Sequence, residues 1–389
     1  MKQVLSQQVA SVVLNPFTRD SRVEKEAEAL AAAGYVVTVF ALSRKDLPHE
    51  EKRSGYSVER LPVFARFLGT SFFAHAVKTI EFSLRLACRL RSFDFVHCHD
   101  FHPLPAALLV RFTGMSKAKI VYDAHEFESH KNGLTPFRAS CVRFLEKFSS
   151  RYLESLISVS PAILEAYSEI LPDVQGTLIL NCPKIWDSRK KDTLRLELGI
   201  SQGVRIVLYQ GGFMPGRHIE QLLSAFRSEN KLDKAIVFLG HAADTPKARL
   251  LEQKIKDAAH LPNVHYLSSV TPELLPDYTV SADIGICLIE DICLSYRYCL
   301  PNKFFEFAMA GLPLVVSDLP EMKRMVEEYD CGVICRSPRP ESILSAVDEV
   351  LSGDHKGLGS NARRMAEDHC WEKQEEKLLE LYDSMQEVA

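Results

Sequence analysis

Two segments of this 389-residue chain carry residue types in an order that suits a phosphate and a ribose hydroxyl together. In the first, Leu300-Pro301-Asn302-Lys303-Phe304-Phe305-Glu306 runs from a proline-fixed loop into a short helix, and Ala310-Gly311-Leu312-Pro313 leads on into a strand. A helix N-terminus offers free backbone N–H groups to a phosphate. Lys303 adds a mobile positive charge, and Glu306, one turn on, can accept hydrogen bonds from ribose hydroxyls. The same spacing equally describes an ordinary i,i+3 ion pair between Lys303 and Glu306, worth about 0.2–0.5 kcal/mol. In the second segment, Tyr209-Gln210-Gly211-Gly212-Phe213-Met214-Pro215-Gly216-Arg217-His218, the glycines let the backbone approach a ligand closely. Arg217 stands at the start of an amphipathic run and offers a forked guanidinium to a diphosphate, a geometry that lysine does not match. Gly-Gly and Pro-Gly also make plain turns, and composition alone favours that reading.

Three further clusters lie in the first half of the chain. His97-Cys98-His99-Asp100-Phe101-His102 and Asp123-Ala124-His125-Glu126 each follow a predicted strand and should top one sheet. Zinc is one reading of these histidines, but their spacing on irregular loops is not specific to a metal, and helix caps and satisfied loop polars account for most of them. Asn15-Pro16-Phe17-Thr18-Arg19-Asp20-Ser21-Arg22 follows the first strand, with Asp20 or Ser21 as helix N-cap. No Gly-x-Gly-x-x-Gly occurs there, which argues against a hydride-transferring dehydrogenase. No Asp-x-Asp pair occurs anywhere, so a carboxylate-held Mg²⁺ has no obvious ligands and positive side chains must carry the charge of a leaving group.

These loops need a scaffold of alternating strands and helices, and the hydrophobic pattern supplies it. Val9 to Leu14 as strand, Ser21 to Ala33 as helix and Val36 to Leu42 as strand make a βαβ opening. Further strands are expected at 95–98, 119–122, 156–159 and 178–180, and near-continuous apolar runs suggest a parallel sheet covered on both faces. After a polar stretch from Trp186 to Asp192 the alternation restarts, with strands expected at 204–209, 235–239, 264–267, 284–288, 314–317 and 333–335. The chain from Pro340 onward reads as helical throughout. We therefore expect an α/β protein of two doubly wound domains, 1–186 and 187–369, with a closing helix over 370–389 that packs back on the first.

Composition bounds the partners. With 46% hydrophobic residues the chain can bury two cores, and a formal net charge of −4 excludes a generally basic nucleic-acid binder. The ten cysteines include no Cys-x-x-Cys pair, which fits neither a zinc pattern nor a disulfide framework. The first apolar run is too short for a signal-peptide core and no run reaches about 18 residues, so a cytoplasmic location is expected. One local patch breaks the acidic average. Arg60, Arg66, Lys78, Arg85, Arg89 and Arg91 face a single acid, Glu81, and interleave with Phe64, Phe67, Phe72, Phe73, Phe82 and Leu84. Residues 60–91 thus read either as contact with an anionic membrane surface or as a core-facing helix with a solvated charged edge.

Taken together, Gly211-Gly212 to Arg217, then Pro301-Asn302-Lys303 to Glu306, then Ala310-Gly311-Leu312-Pro313 resemble the retaining glycosyltransferases of the GT-B fold, group 1 or family 4. The resemblance spans nearly the whole chain. It implies two Rossmann-like domains facing across a cleft, acceptor side first and nucleotide-sugar side second. It places Arg217 on the donor diphosphate, Lys303 beside the phosphates and Glu306 on the donor ribose, with Gly211, Gly212 and Asn302 also on the donor. Arg19, Asp20, Arg22, His99, Asp123 and Glu126 fall on the acceptor side, and His125 becomes a contact for the transferred sugar or the acceptor hydroxyl. The implied activity moves a hexose-type sugar to a glycan or lipid-linked glycan with retention, using no metal or other cofactor and no enzyme nucleophile. A nucleotide-sugar epimerase or hydrolase, and a silent nucleotide-sugar-binding scaffold, are the alternatives. Three positions depart from the family pattern: Tyr298 replaces a glutamate, Gly212 a basic residue and His218 a glycine. Lys303 or Arg297 is the candidate to supply the charge that Gly212 lacks.

Overall fold

The computed structural model describes residues 7–18, 20–64, 72–229 and 231–387. The chain divides into two compact units: one runs to Ile179 and includes the chain from Glu375, and the other is Leu180–Gln374.

In the first unit, strands β1 (Gln8–Val12), β2 (Val36–Leu42), β3 (Glu50–Lys52), β4 (Ser57–Leu61), β5 (Phe95–His99), β6 (Lys119–Ala124), β7 (Leu153–Ser158) and β8 (Gln175–Leu178) form one sheet. Its order is β3-β4-β2-β1-β5-β6-β7-β8. Every pairing is parallel except β3 with β4. That antiparallel edge hairpin has no counterpart in the sequence expectations. Its outer strand is Glu-Glu-Lys, charged as an unpaired sheet edge requires, and so lacks apolar alternation. The helices are α1 (Ser21–Ala32), α2 (Phe72–Arg89), α3 (Leu104–Phe112), α4 (Pro136–Ser149) and α5 (Pro161–Ile170). Ser160 starts α5 by accepting from Ile163 N–H, and Thr135 does the same for α4 from Arg138 N–H. The strand expected at 178–180 lies earlier in the chain, because β8 pairs Gln175 to Leu178 against Ser155 to Ser158.

The second unit has strands β9 (Arg205–Gln210), β10 (Lys234–Gly240), β11 (Val264–Ser268), β12 (Ile284–Cys287), β13 (Leu314–Ser317) and β14 (Gly332–Cys335). They run wholly parallel in the order β11-β10-β9-β12-β13-β14. β10, β12 and β13 are buried along their whole length, as strands covered on both faces must be. The helices are α6 (Thr193–Leu198), α7 (Ile219–Ser228), α8 (Pro246–Ala258), α9 (Leu275–Thr279), α10 (Leu294–Arg297), α11 (Asn302–Met309), α12 (Pro320–Tyr329), α13 (Pro340–Ser352) and α14 (His355–Asp368). The tail is therefore not one continuous helical run: it breaks near Gly353 and again near His369, before α15 (Trp371–Glu387). Residues 180–185 belong with the second unit because Leu180 N–H donates to Gln374 Oε1, Trp371 N–H to the Pro183 carbonyl and Ile185 N–H to Glu372.

Strand order reverses between β1 and β5 in the first sheet and between β9 and β12 in the second. Ligands of such sheets bind beyond the carboxyl ends of strands at these switch points, which is where the chemistry-bearing segments emerge.

Candidate active site

In the second unit, β9 ends at Gln210 and the chain turns through Gly211 at φ 113°. Gly240, at the end of neighbouring β10, has no room for a side chain, since a Cβ there would overlap the Gly211 carbonyl oxygen. Gly216 has φ +86°, and a Cβ on it would fall 2.6 Å from the ring of Tyr296. The loop is thus pressed against its supports and delivers Arg217 to the head of α7. His218 caps that helix at φ 50°, a left-handed conformation that explains the family's glycine at this place and that histidine adopts more readily than bulky residues do.

Arg217 lays its guanidinium carbon 4.6 Å from the Tyr296 ring centre. Lys303, in the first turn of α11, sets its ammonium 4.2 Å from the Tyr209 ring centre. Among the described residues neither cation forms an ion pair, and the buried Nη1 of Arg217 has no hydrogen-bond partner. The i,i+3 pair that spacing allowed between Lys303 and Glu306 is therefore not made. Burial, with Arg217 nearby, pushes the Lys303 ammonium down to about 8. Two cations thus rest on π-faces beside a helix start, at Asn302, that has no side-chain cap, an arrangement with the chemistry to receive an anion.

Glu306 points elsewhere. Gln210 donates to its Oε2 through Nε2, while Gln210 Oε1 accepts from Thr279 Oγ at 2.8 Å. This relay fixes the carboxylate in place. Tyr209 and Tyr296 as platforms, and Gln210 and Thr279 as relay, were not among the residues singled out from sequence. Tyr209 and Gln210 stood inside the quoted glycine-rich segment, but nothing in it shows what they touch. Arg297 is exposed and paired with Asp291 at 3.4 Å, whereas Lys303 rests on Tyr209, whose hydroxyl donates to the Gly212 carbonyl. Tyr298 closes α10.

In the first unit, Asp123 at the end of β6 is fully buried. Arg22 grips it with two hydrogen bonds of 2.9 and 2.8 Å and spends its remaining nitrogen on the Ile179 carbonyl. His125 Nε2 lies 3.0 Å from Asp123 Oδ2 and its Nδ1 3.8 Å from Asp100. Burial alone would lower the His125 imidazole, but Asp123 and Asp100 outweigh it and raise it to about 9. For Asp123, burial opposes ionisation, yet Arg22 and His125 hold the carboxyl well below its usual range. His99 bonds Ser11 through Nε2 at 2.9 Å, and His97 bonds Tyr382 of α15 at 2.9 Å.

These contacts sort the acceptor-side candidates. Arg22, His99 and Asp123 are enclosed and bound to one another, so they orient His125, whose side chain is 19% exposed, rather than meet a ligand themselves. Asp20 is spent as the N-cap of α1, accepting from Val23 N–H and from Asn15. Glu126 is half-buried and lies 3.9 Å from Lys131. Arg19 lies outside the described residues. Glu26, His97, His99 and Asp123 each bring one potential metal ligand within 4.8 Å of the others, but Arg22 contacts both carboxylates and supplies the cation there.

Two family models tile this chain: "Glycosyl transferase 4-like domain" over residues 20–181 and "Glycosyl transferases group 1" over residues 190–367. The chain belongs to the group 1, family 4 glycosyltransferases. An uncharacterized glycosyltransferase of Methanocaldococcus jannaschii is 22% identical over 388 residues, 93% of each chain. The fold of sucrose-phosphate synthase from Thermosynechococcus elongatus matches with a TM-score of 0.82 at 18% identity, covering 98% of this chain and 100% of that one. Anabaena HepE, solved with UDP-glucose, matches with a TM-score of 0.74 at 14% identity, covering 97% and 99%. Both have the GT-B architecture of two Rossmann-like domains found here.

Proposed function

We propose that this glycosyltransferase moves a hexose-type sugar from a nucleotide-sugar donor to a glycan or lipid-linked glycan acceptor, with retention and without a metal, in the building of a surface polysaccharide or glycoconjugate. The observation that carries the proposal is the pair Arg217 and Lys303, two cations that make no ion pair among the described residues and lie at the switch point of the second sheet. They would hold the donor diphosphate and stabilise the charge that develops as the glycosidic bond breaks. A preorganised donor of this kind is worth about 2.7–4 kcal/mol in the transition state. Glu306, steadied by Gln210, would receive the donor ribose. In the first unit His125, held protonated near neutrality by Asp123 and Asp100, would donate to the transferred sugar or its acceptor. No side chain is assigned as nucleophile; the departing phosphate would take the acceptor proton.

UDP-glucose, named with the Anabaena HepE structure, is the first donor to assay. Proton NMR of the reaction mixture separates the readings. A new glycoside with the donor's anomeric configuration supports transfer with retention. An altered nucleotide sugar or free hexose as the sole product replaces it with epimerisation or hydrolysis, and donor binding without any product replaces it with a scaffold role.

No helix among the described residues is long and apolar enough to cross a membrane. Contact with a membrane surface through 60–91 remains part of the proposal in reduced form. Arg60 faces inward, 2% exposed, bonded to the carbonyls of Pro16 and Pro48 and to Glu51, and leaves the patch. Arg66, Phe67 and the side chains of Phe72 and Phe73 lie outside the described residues.

A further inference from the structure

The first unit contains an apolar groove that the donor chemistry does not use. Helix α4 carries Phe137, Val142, Phe144, Leu145 and Phe148, yet the residues it buries fully are Glu146 and Ser149. Phe144 is 73% exposed, and on α2 Ile80 is 59% exposed. Both line one cavity of about 1070 Å³. Leu42 at the carboxyl end of β2, and Leu14 and Phe101 just beyond those of β1 and β5, contribute to its lining. Apolar surface of this extent on neighbouring elements marks a binding site more often than chance exposure.

The surrounding charge is mostly positive, with Glu128 the acid on the cavity wall. α4 contributes Arg138, Arg143 and Lys147, and its one acid, Glu146, is buried and occupied by the hydroxyls of Tyr122 and Tyr167. α2 contributes Lys78, Arg85 and Arg89 against Glu81. Lys78, Lys131 and Arg138 stand on the wall of the cavity itself, and Lys131 is paired there with Glu128 at 2.5 Å, which leaves Lys78 and Arg138 to set its basic character. Lys131 lies 3.9 Å from Asp100, and Asp100 in turn lies 3.8 Å from His125, so one residue of the groove wall is linked through Asp100 to the acceptor-side histidine. A free oligosaccharide would find few partners for its hydroxyls on such walls. A hydrocarbon chain that ends in a phosphate matches both the apolar lining and the basic rim.

We propose that the groove between α2 and α4 is the subsite for the hydrocarbon chain of an acceptor carried on a lipid phosphate, with the phosphate at Lys78 and Arg138. This rests on the glycosyl-transfer reading above and narrows its acceptor to an anionic lipid-linked one.

Calorimetric titration of the full chain with dodecyl phosphate below its micellar concentration, with dodecyl maltoside and with inorganic phosphate, tests it. Dodecyl phosphate should bind at least tenfold more tightly than either other probe. Phe144→Asp and Cys141→Trp, both at exposed positions on the groove wall, should each weaken it tenfold or more, with melting curves and UDP binding unchanged. Lys78→Ala combined with Arg138→Ala should erase the preference over maltoside. Equal binding of all three probes, or full dodecyl phosphate binding by both groove variants, overturns the proposal. So does a concentration-dependent dimer that those variants dissolve, which would give the groove to a second copy. UDP binding separates the two claims: intact UDP binding with no dodecyl phosphate binding rejects the groove alone, and the reverse rejects the donor reading alone.

Discussion

Replacing Lys303 with methionine should stabilise the protein and cripple its hold on nucleotide at once. The ammonium is pushed from its ordinary value of 10.5 to about 8 by burial and by Arg217. Lys303 is charged in both the folded and unfolded chains below pH 8, so the full cost of holding that charge is present there. Between about 8 and 10.5 the unfolded chain binds more protons, so stability rises with pH and the cost is relieved. At 1.36 kcal/mol per pKa unit, the cost near neutrality is at most about 3 kcal/mol. Methionine keeps the length and the contact with Tyr209 and should recover a good part of this. Nucleotide binding has the opposite sign: a diphosphate restores the ammonium's preference for its proton, so the affinity of the native protein for UDP should fall as pH rises from 7 to 9. In Lys303→Met that dependence should flatten and affinity should drop by roughly the same energy, about a hundredfold. Urea unfolding at pH 7, with and without UDP, reads both effects on one sample. A variant less stable than the native protein with unchanged UDP affinity would mean that Lys303 is a packing residue, and the reasoning about the anion site would fall.

Arg217→Ala should lose about 10²–10³ in kcat, and Arg217→Lys should recover little, because a point charge does not reproduce the fork; steady-state rates on UDP-glucose check both. Gly216→Ala forces a left-handed residue against Tyr296, so denaturant unfolding should show a loss of at least about 1 kcal/mol together with weaker UDP binding. Gln210→Leu frees Glu306 from its relay and should raise the KM for donor more than it lowers kcat. Asp123→Asn should lower the His125 titration seen by NMR and, by leaving Arg22 buried without its partner, cost about 3–5 kcal/mol. His125 is raised when folded, so its contribution to stability is complete below about 6.5 and is lost as pH climbs through about 9.

The scaffold was legible because parallel strands covered on both faces announce themselves as apolar runs, and most of the expected strands fall within a residue or two of the observed ones. β3 escaped because a charged edge strand has no apolar period to read. In the candidate site, the order Gly-Gly to Arg217 and Pro301 to Glu306 marked the two loops that bring the cations to the second sheet, since helix starts and turn glycines are local features. Its supports were hidden by distance: Gln210 meets Glu306 96 residues away and Thr279 69 residues away. The same distance hid the burial of Arg22, His99 and Asp123. Their polarity suggests solvent or ligand, and a pattern of neighbours does not show that Arg22 meets Asp123 101 residues on. Arg60 failed as a surface charge for a related reason, because its partners are backbone carbonyls of Pro16 and Pro48.

The central claim is that Arg217 and Lys303 hold a nucleoside diphosphate without a metal. Calorimetric titration of the native chain with UDP, GDP, ADP, CDP and dTDP in EDTA tests it most directly. The account predicts saturable binding of at least one of them, weakening from pH 7 to pH 9 and abolished by Arg217→Ala. Binding that appears only when Mg²⁺ is restored, or that ignores both the pH and the substitution, would contradict it.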